Sequence, residues 1–182
     1  TNQLGEVLGA GNLWLNLLVV VVVAPVMEEL IFRCFLYDKL VCFGGRVYVF
    51  LSAFLFASFH LNIFQMLYAF VLGVIFAVIT YRTGTIRHSI ILHMIINCLG
   101  GGGSPLIIHY GGEAATQVLG GLLLLLLAAG LVVCIAWLLG KGPRLRFEPG
   151  RIALPRGTLL LNPGMILFVV LVVGLTIWAT LG

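Results

Sequence analysis

Charge is scarce in this sequence. Only 9% of the 182 residues are Asp, Glu, Lys or Arg, whereas 62% are hydrophobic and the mean hydropathy is +1.19. Soluble domains carry roughly 25% charged residues, so the composition excludes a soluble globular protein and predicts an integral membrane protein. The length suits one membrane domain over residues 1–182, and we expect no soluble domain beside it.

Cysteine is also sparse and follows no pattern. The four cysteines include no Cys-x-x-Cys pair, so the sequence predicts neither a disulfide nor a cysteine metal site. There is no His-Glu-x-x-His helix, and nothing resembles an activated Ser or Cys nucleophile. Residues 1–12 are neither basic nor followed by a small-residue cleavage site, so we expect no secretory signal.

Long apolar runs are abundant. They predict an all-α fold, a polytopic transmembrane helix bundle of about six segments, at Leu13–Leu40, Val47–Leu61, Ile63–Tyr81, Ile86–Leu99, Val118–Leu139 and Met165–Leu181. A full span needs roughly 20 residues, so we expect the short second and fourth segments to be buried among other helices. Pro25 should kink the first segment. Partial alternation around Pro149-Gly150 predicts a small hairpin between the last two segments.

The basic residues predict an orientation. Nine of the ten Lys and Arg residues lie in loops that fall on one side of the membrane in an alternating topology, and the opposite loops hold none. The positive-inside rule places the basic loops in the cytoplasm and Thr1 outside. The net charge of +4 is therefore a topology signal, and we expect the partner to be the lipid bilayer and no nucleic acid.

Three ionisable residues lie close together inside the first apolar segment. Ionisable groups at bilayer depth are costly and usually functional. Glu29 and Arg33 stand at i,i+4 with the acid first, the favourable order for an ion pair, so a structural role suits these two. Glu28 points about 100° away from Glu29. Since desolvation raises the pKa of a carboxyl group, Glu28 is the better candidate for a general base.

Three further polar residues lie at matching depth. His60 ends the second segment, and His93 and Asn97 share one face of the fourth at i,i+4. At about 1.5 Å per helical residue, each lies about 9 to 21 Å from the nearest cytoplasmic charge, as does Glu28. Alone, each is more simply a structural hydrogen-bonding residue. Together, the four predict one buried pocket built from three helices.

These motifs resemble those of a known family. Glu28-Glu29-x-x-x-Arg33, Phe56-x-x-x-His60 and His93-x-x-x-Asn97 occur in order, and a Thr83-Gly84-Thr85 turn precedes the last motif. The set is similar to that of the CPBP (ABI) family, the type II CAAX-prenyl endopeptidases and their bacterial relatives, the glutamic intramembrane proteases. The resemblance covers 70 of the 182 residues.

The resemblance implies a catalytic role for each matched residue. Glu28 and His60 would hold and deprotonate a water that attacks a peptide carbonyl. His93 and Asn97 would donate hydrogen bonds to the oxyanion, and Glu29 and Arg33 would support the site. It implies an endopeptidase without a cofactor, acting on a membrane-associated peptide or protein.

Three other interpretations stay open at this point. Glu28, His60 and His93 could be the three ligands of a catalytic zinc ion, although Asn97 suits an oxyanion donor better than a ligand. The chain could be a bacteriocin-immunity or scaffold protein that keeps the constellation without cleavage. A small transporter with Glu28 and His60 as a proton relay is the third, but the repeats expected of transporters are not visible.

Overall fold

The computed structural model describes residues 13–102, 110–139, 146–152, 158 and 161–181. Every regular element in these residues is a helix, which confirms the predicted all-α fold. The chain divides into two compact units, each described by itself below. The first unit is Thr1–Pro25 with His93–Arg146, and the second unit is Val26–Leu92 with Phe147–Gly182. The predicted single domain over residues 1–182 stays a prediction.

Six helical segments appear where the apolar runs predict them. The first is a continuous run of α1 (Leu13–Leu18), π-helical turn π1 (Val19–Val23), α2 (Ala24–Glu29), π-helical turn π2 (Leu30–Phe35), α3 (Leu36–Leu40) and a 3-10 turn, Val41–Phe43. The others are α4 (Gly45–Ser58), α5 (Ile63–Thr83), α6 (Arg87–Asn97, continued by π-helical residues Cys98–Gly102), α7 (Gly112–Leu138) and α8 (Pro163–Leu181).

Two of the described helices are long and apolar enough to cross a membrane. They are the first run, from Trp14 to Phe43, and α5. The second and fourth segments are short, as predicted, with 14 residues in α4 and 11 in α6. The helix α7 begins at Gly112 rather than at Val118, because its first turns are polar and do not register as an apolar run.

Pro25 explains the hydrogen bonding of π1. The Ala24 N–H donates to the carbonyl of Val19, five residues earlier. The next donor in this register would be the N–H of residue 25, which proline does not have. The Val20 carbonyl accepts a hydrogen bond from Asn97 Nδ2 at 3.0 Å, within the first unit. A π-helical turn thus lies just before Pro25, and such turns commonly accompany helix bending, while the predicted kink itself stays a prediction.

Small residues bring α4 and α5 together in the second unit. Ala53 and Ala57 on α4 are buried, as are Ala69 and Ala77 on α5. A Cβ on Gly73 would lie 3.0 Å from the Ala53 Cα, so the two backbones approach closely there. Such contacts let membrane helices pack without large apolar side chains.

Both ends of α5 are capped by local chemistry. The Asn62 Oδ1 accepts hydrogen bonds from the N–H groups of Phe64 and Gln65, at 3.0 and 3.1 Å. Gly84 ends the helix with a φ of +68°, a left-handed conformation that glycine adopts readily. These caps fix the length of α5 and the turn that leads to α6.

An aromatic cluster lies where α4 begins and α5 ends. The buried Tyr48 lies between Tyr37 and Tyr81, with ring centroids 4.8 and 6.5 Å away. Phe147 packs on Tyr81 at 5.5 Å, and Pro149 forms a single antiparallel bridge with Gly44. The predicted hairpin lies largely outside the described residues, and its described part, 146–152, contacts the start of α4.

Candidate active site

Glu28 and His60 line one cavity of the second unit. The cavity measures about 180 Å³, and its other walls are Ile31, Phe32, Phe56 and Phe59. Glu28 lies near the end of α2, and His60 lies just after α4. Both side chains are half-buried. The volume suffices for about six waters at roughly 30 Å³ each. The apolar walls lower the local dielectric and strengthen any charge interaction inside.

A backbone contact assigns the tautomer of His60. Its Nδ1 lies 3.1 Å from the carbonyl oxygen of Phe56, one helical turn earlier. A carbonyl oxygen only accepts hydrogen bonds, so Nδ1 carries the proton. In the neutral ring, Nε2 is then the acceptor. The Phe56 ring also packs edge-on against the imidazole, with centroids 5.2 Å apart. His60 is therefore oriented to accept a proton or a hydrogen bond through Nε2.

Glu29 and Arg33 form the ion pair that their spacing predicts. Arg33 Nη1 lies 3.0 Å from Glu29 Oε1, and both side chains are fully buried. Arg33 Nη2 donates to the Gly73 carbonyl at 3.3 Å. Its guanidinium carbon lies 4.3 Å from the Phe56 ring centroid and 5.3 Å from that of Phe76. The pair thus attaches the first helical run to α4 and α5.

Ser52 holds the second π-helical turn. The Leu36 N–H donates to the Ile31 carbonyl, five residues earlier, as the final bond of π2. The next carbonyl, that of Phe32, accepts a 2.7 Å hydrogen bond from the buried Ser52 hydroxyl. Two π-helical turns therefore flank the Glu28-Glu29 pair in the chain, and each contains a carbonyl that accepts a side-chain hydrogen bond. Sequence reasoning missed Ser52, whose only signal was a polar side chain within an apolar helix.

His93 and Asn97 lie on α6 and belong to the first unit. His93 is buried, with 4% of its surface exposed. The side chain of Asn97 is half-buried and uses one of its two N–H groups on Val20. Their predicted meeting with Glu28 and His60 in one pocket stays a prediction. At the other end of α6, the buried Ser89 accepts a 3.2 Å hydrogen bond from Thr80, which fixes α6 to α5.

One family model matches the part of the chain that holds the candidate site. Residues 10–99 match the family model described as type II CAAX prenyl endopeptidase Rce1-like. The matched segment contains all six predicted site residues. This match spans 90 of the 182 residues and confirms the resemblance drawn from the motifs. Comparisons with curated proteins and with solved structures found no match.

The match supports a function at a coarse level. It supports a CAAX-endopeptidase-like protease embedded in a membrane, and the two long apolar helices agree with this placement. The matched family also implies a membrane-associated protein as the substrate.

Proposed function

We propose that this protein is an intramembrane endopeptidase in which Glu28 and His60 activate a water molecule. The observation that carries the proposal is the cavity that these two side chains share. It lies within the segment that matches the endopeptidase family. A carboxylate and an imidazole at one small, apolar cavity suit general base catalysis, which typically contributes 10²–10⁴-fold to a rate.

The proposed reaction needs no covalent intermediate. Glu28 takes a proton from the water, and His60 Nε2 accepts its second hydrogen bond and orients it. The water oxygen adds to the carbonyl carbon of the scissile peptide bond. The C–N bond then breaks, and the proton held by Glu28 passes to the departing amine. Water and peptide thus yield one carboxylic acid and one amine.

His93 and Asn97 are proposed as donors to the oxyanion. Their i,i+4 spacing on α6 places them on one helix face. The Asn97 amide is oriented by its bond to the Val20 carbonyl, and an amide nitrogen has a second N–H that can donate to another acceptor. A donor of this kind typically contributes about 3 to 4 kcal/mol to transition-state stabilisation. Glu29 and Arg33 are proposed as positioning residues, since both are fully buried in their own contacts.

The substrate is proposed to be a membrane-associated peptide or protein cleaved near the cytoplasmic leaflet. The basic loops support a multi-pass topology with those loops in the cytoplasm. In that topology, Glu28 lies about 16 Å in from Lys39, at about 1.5 Å per residue.

Cleavage of membrane-tethered reporter peptides tests the proposal. The purified protein is compared with Glu28→Gln, each with and without a metal chelator. Glu113→Gln makes the same chemical change at an exposed position in the first turn of α7 and serves as the matched control. We expect cleavage that Glu28→Gln abolishes, and that both the chelator and Glu113→Gln leave unchanged. Loss of cleavage in chelator, restored by zinc, would replace the proposal with a zinc mechanism.

A further inference from the structure

The second unit contains another cavity, separate from the one at Glu28. It measures about 340 Å³ and shares no lining residue with the first cavity. Its walls come from the C-terminal half of the first helical run, from α5, and from the turn before α6. The lining residues that matter here are Arg33, Cys34, Tyr37, Asp38, Thr80 and Thr85. We call this cavity the vestibule.

The walls of the vestibule are polar for so apolar a chain. They carry a guanidinium, a carboxylate, a phenol and two hydroxyl groups. Arg33 is 1% exposed, and its Nε hydrogen bonds to none of the residues that the structure describes. Buried charged donors are nearly always satisfied by protein or water. At roughly 30 Å³ per water, the vestibule has room for about ten.

The vestibule reaches from a loop to the buried ion pair. Its outer part includes Gly84 and Thr85, in the turn flanked by the exposed Arg82 and Arg87. Its inner part includes Arg33, which pairs with Glu29. The cavity therefore joins the basic, loop-bearing end of the helices to a charge that is otherwise enclosed.

The charges around the vestibule indicate what kind of molecule it can hold. Glu29 already balances the charge of Arg33, and Asp38 adds a negative charge to the wall. The lining residues together with Glu29 therefore carry no net positive charge to attract an anion. Hydrogen-bond donors and acceptors both line the vestibule, which suits small neutral molecules that donate and accept hydrogen bonds.

We infer that the vestibule is a water-filled passage from the side of Arg82 and Arg87 to the Glu29–Arg33 pair. The passage as an aqueous space stands on the geometry alone. The vestibule ends at Arg33, whose guanidinium carbon lies 4.3 Å from the ring centroid of Phe56, a wall of the cavity at Glu28. A role as the supply route for the water consumed in hydrolysis rests on this proximity and on the proposed function.

Cys34 provides a native probe of the passage. It is exposed and lines the vestibule, so the inference places its thiol in water rather than in lipid. A variant with Cys42, Cys98 and Cys134 replaced by alanine keeps Cys34 as its only thiol. The matched control carries Cys34→Ala and Phe35→Cys in the same background. Phe35 is 61% exposed, is the next residue on the helix and does not line the vestibule.

The first measurement is the rate of labelling by a membrane-impermeant methanethiosulfonate reagent in proteoliposomes. The reagent is applied from the side of Arg82 and Arg87. Thiolates form and react in water, so we expect Cys34 to react at least about tenfold faster than the thiol of the Phe35→Cys control. Equal rates, or a slower rate at Cys34, would overturn the aqueous passage.

The second measurement separates the passage from the supply route. A large and a small thiosulfonate adduct are compared at Cys34, and again in the Phe35→Cys control, by their effects on kcat and KM. We expect the large adduct at Cys34 to lower kcat about tenfold with little change in KM. Fast labelling with unchanged kcat would overturn the supply role. If no peptide is cleaved by the unmodified protein, the labelling rates still decide whether the passage is aqueous.

Discussion

Removing one partner of the Glu29–Arg33 pair should destabilise the protein far more than removing Glu28. In Glu29→Gln, the Arg33 guanidinium keeps its charge, with both members of the pair fully buried. Breaking a buried ion pair from one side typically costs about 3–5 kcal/mol, because a buried charge is left without its counter-charge. The lower value reduces the ratio of folded to unfolded protein by about a hundredfold. Half-buried Glu28 should cost well under this when changed to glutamine.

The assay is reversible unfolding in mixed detergent micelles, followed by circular dichroism at increasing mole fraction of denaturing detergent. Glu29→Gln, Arg33→Met and the double variant complete a thermodynamic cycle. We expect the double variant to lose less than the sum of the single losses, because replacing both charges removes the unpaired one. Single losses below about 1 kcal/mol, typical of exposed pairs, would refute the reasoning. Additive losses would refute it as well.

Three smaller changes test the contacts around the site. Ser52→Ala removes the hydroxyl that donates to the Phe32 carbonyl and should cost about 1–3 kcal/mol of unfolding free energy, measured in the same micelles. Gly73→Val should destabilise by a similar 1–3 kcal/mol, measured by thermal unfolding, since its Cβ would meet the facing helix at 3.0 Å. Asn97→Asp should lower kcat with little change in KM, because an ionised carboxylate, unlike the amide, has no hydrogen to donate to the Val20 carbonyl or to the oxyanion.

Each change has a control within the chain. Ser58→Ala removes a hydroxyl that donates to Phe54 in its own helix, so it should cost less than Ser52→Ala. Gly120→Ala adds a Cβ that meets no atom of the described residues within 4 Å, so it should be neutral. Equal losses within either pair would contradict the packing described above. For Asn97, an unchanged carbonyl ¹³C chemical shift at isotopically labelled Val20 in Asn97→Asp would contradict the contact.

The fold was largely predictable because hydrophobic length dominates a chain of this composition. The runs from Leu13 and Ile63 give the two described membrane-length helices, with their starts within one residue and their ends within three. A predicted boundary was wrong where a helix begins with polar residues. The helix α7 starts at Gly112, six residues before the apolar run that predicted it. Small residues on α4 and α5 indicate that each helix packs closely on another helix. Their spacing alone does not show that α4 and α5 pack on each other.

The site was predictable in part. The Glu29–Arg33 pair follows from i,i+4 spacing, which is local geometry. The cavity shared by Glu28 and His60 depends on packing between two helices, which local spacing does not reveal. It was predicted because the order of the motifs resembles that of a known family. Neither the periodicity nor the residue types reveal a hydrogen-bond register, so all three described π-helical segments were missed. Only the absent N–H of Pro25 signalled one of them.

The most direct test of the central claim is a double-mutant cycle on the cleavage rate, with Glu28→Gln, His60→Ala and both together. If the two side chains act on one water, each single change should lower kcat/KM by about 10²–10⁴-fold. The double change should then lower it little further, since groups that act as a unit are strongly non-additive. Full activity in either single variant, with folding unchanged, would contradict the account. Fully additive losses would show that Glu28 and His60 do not share one water.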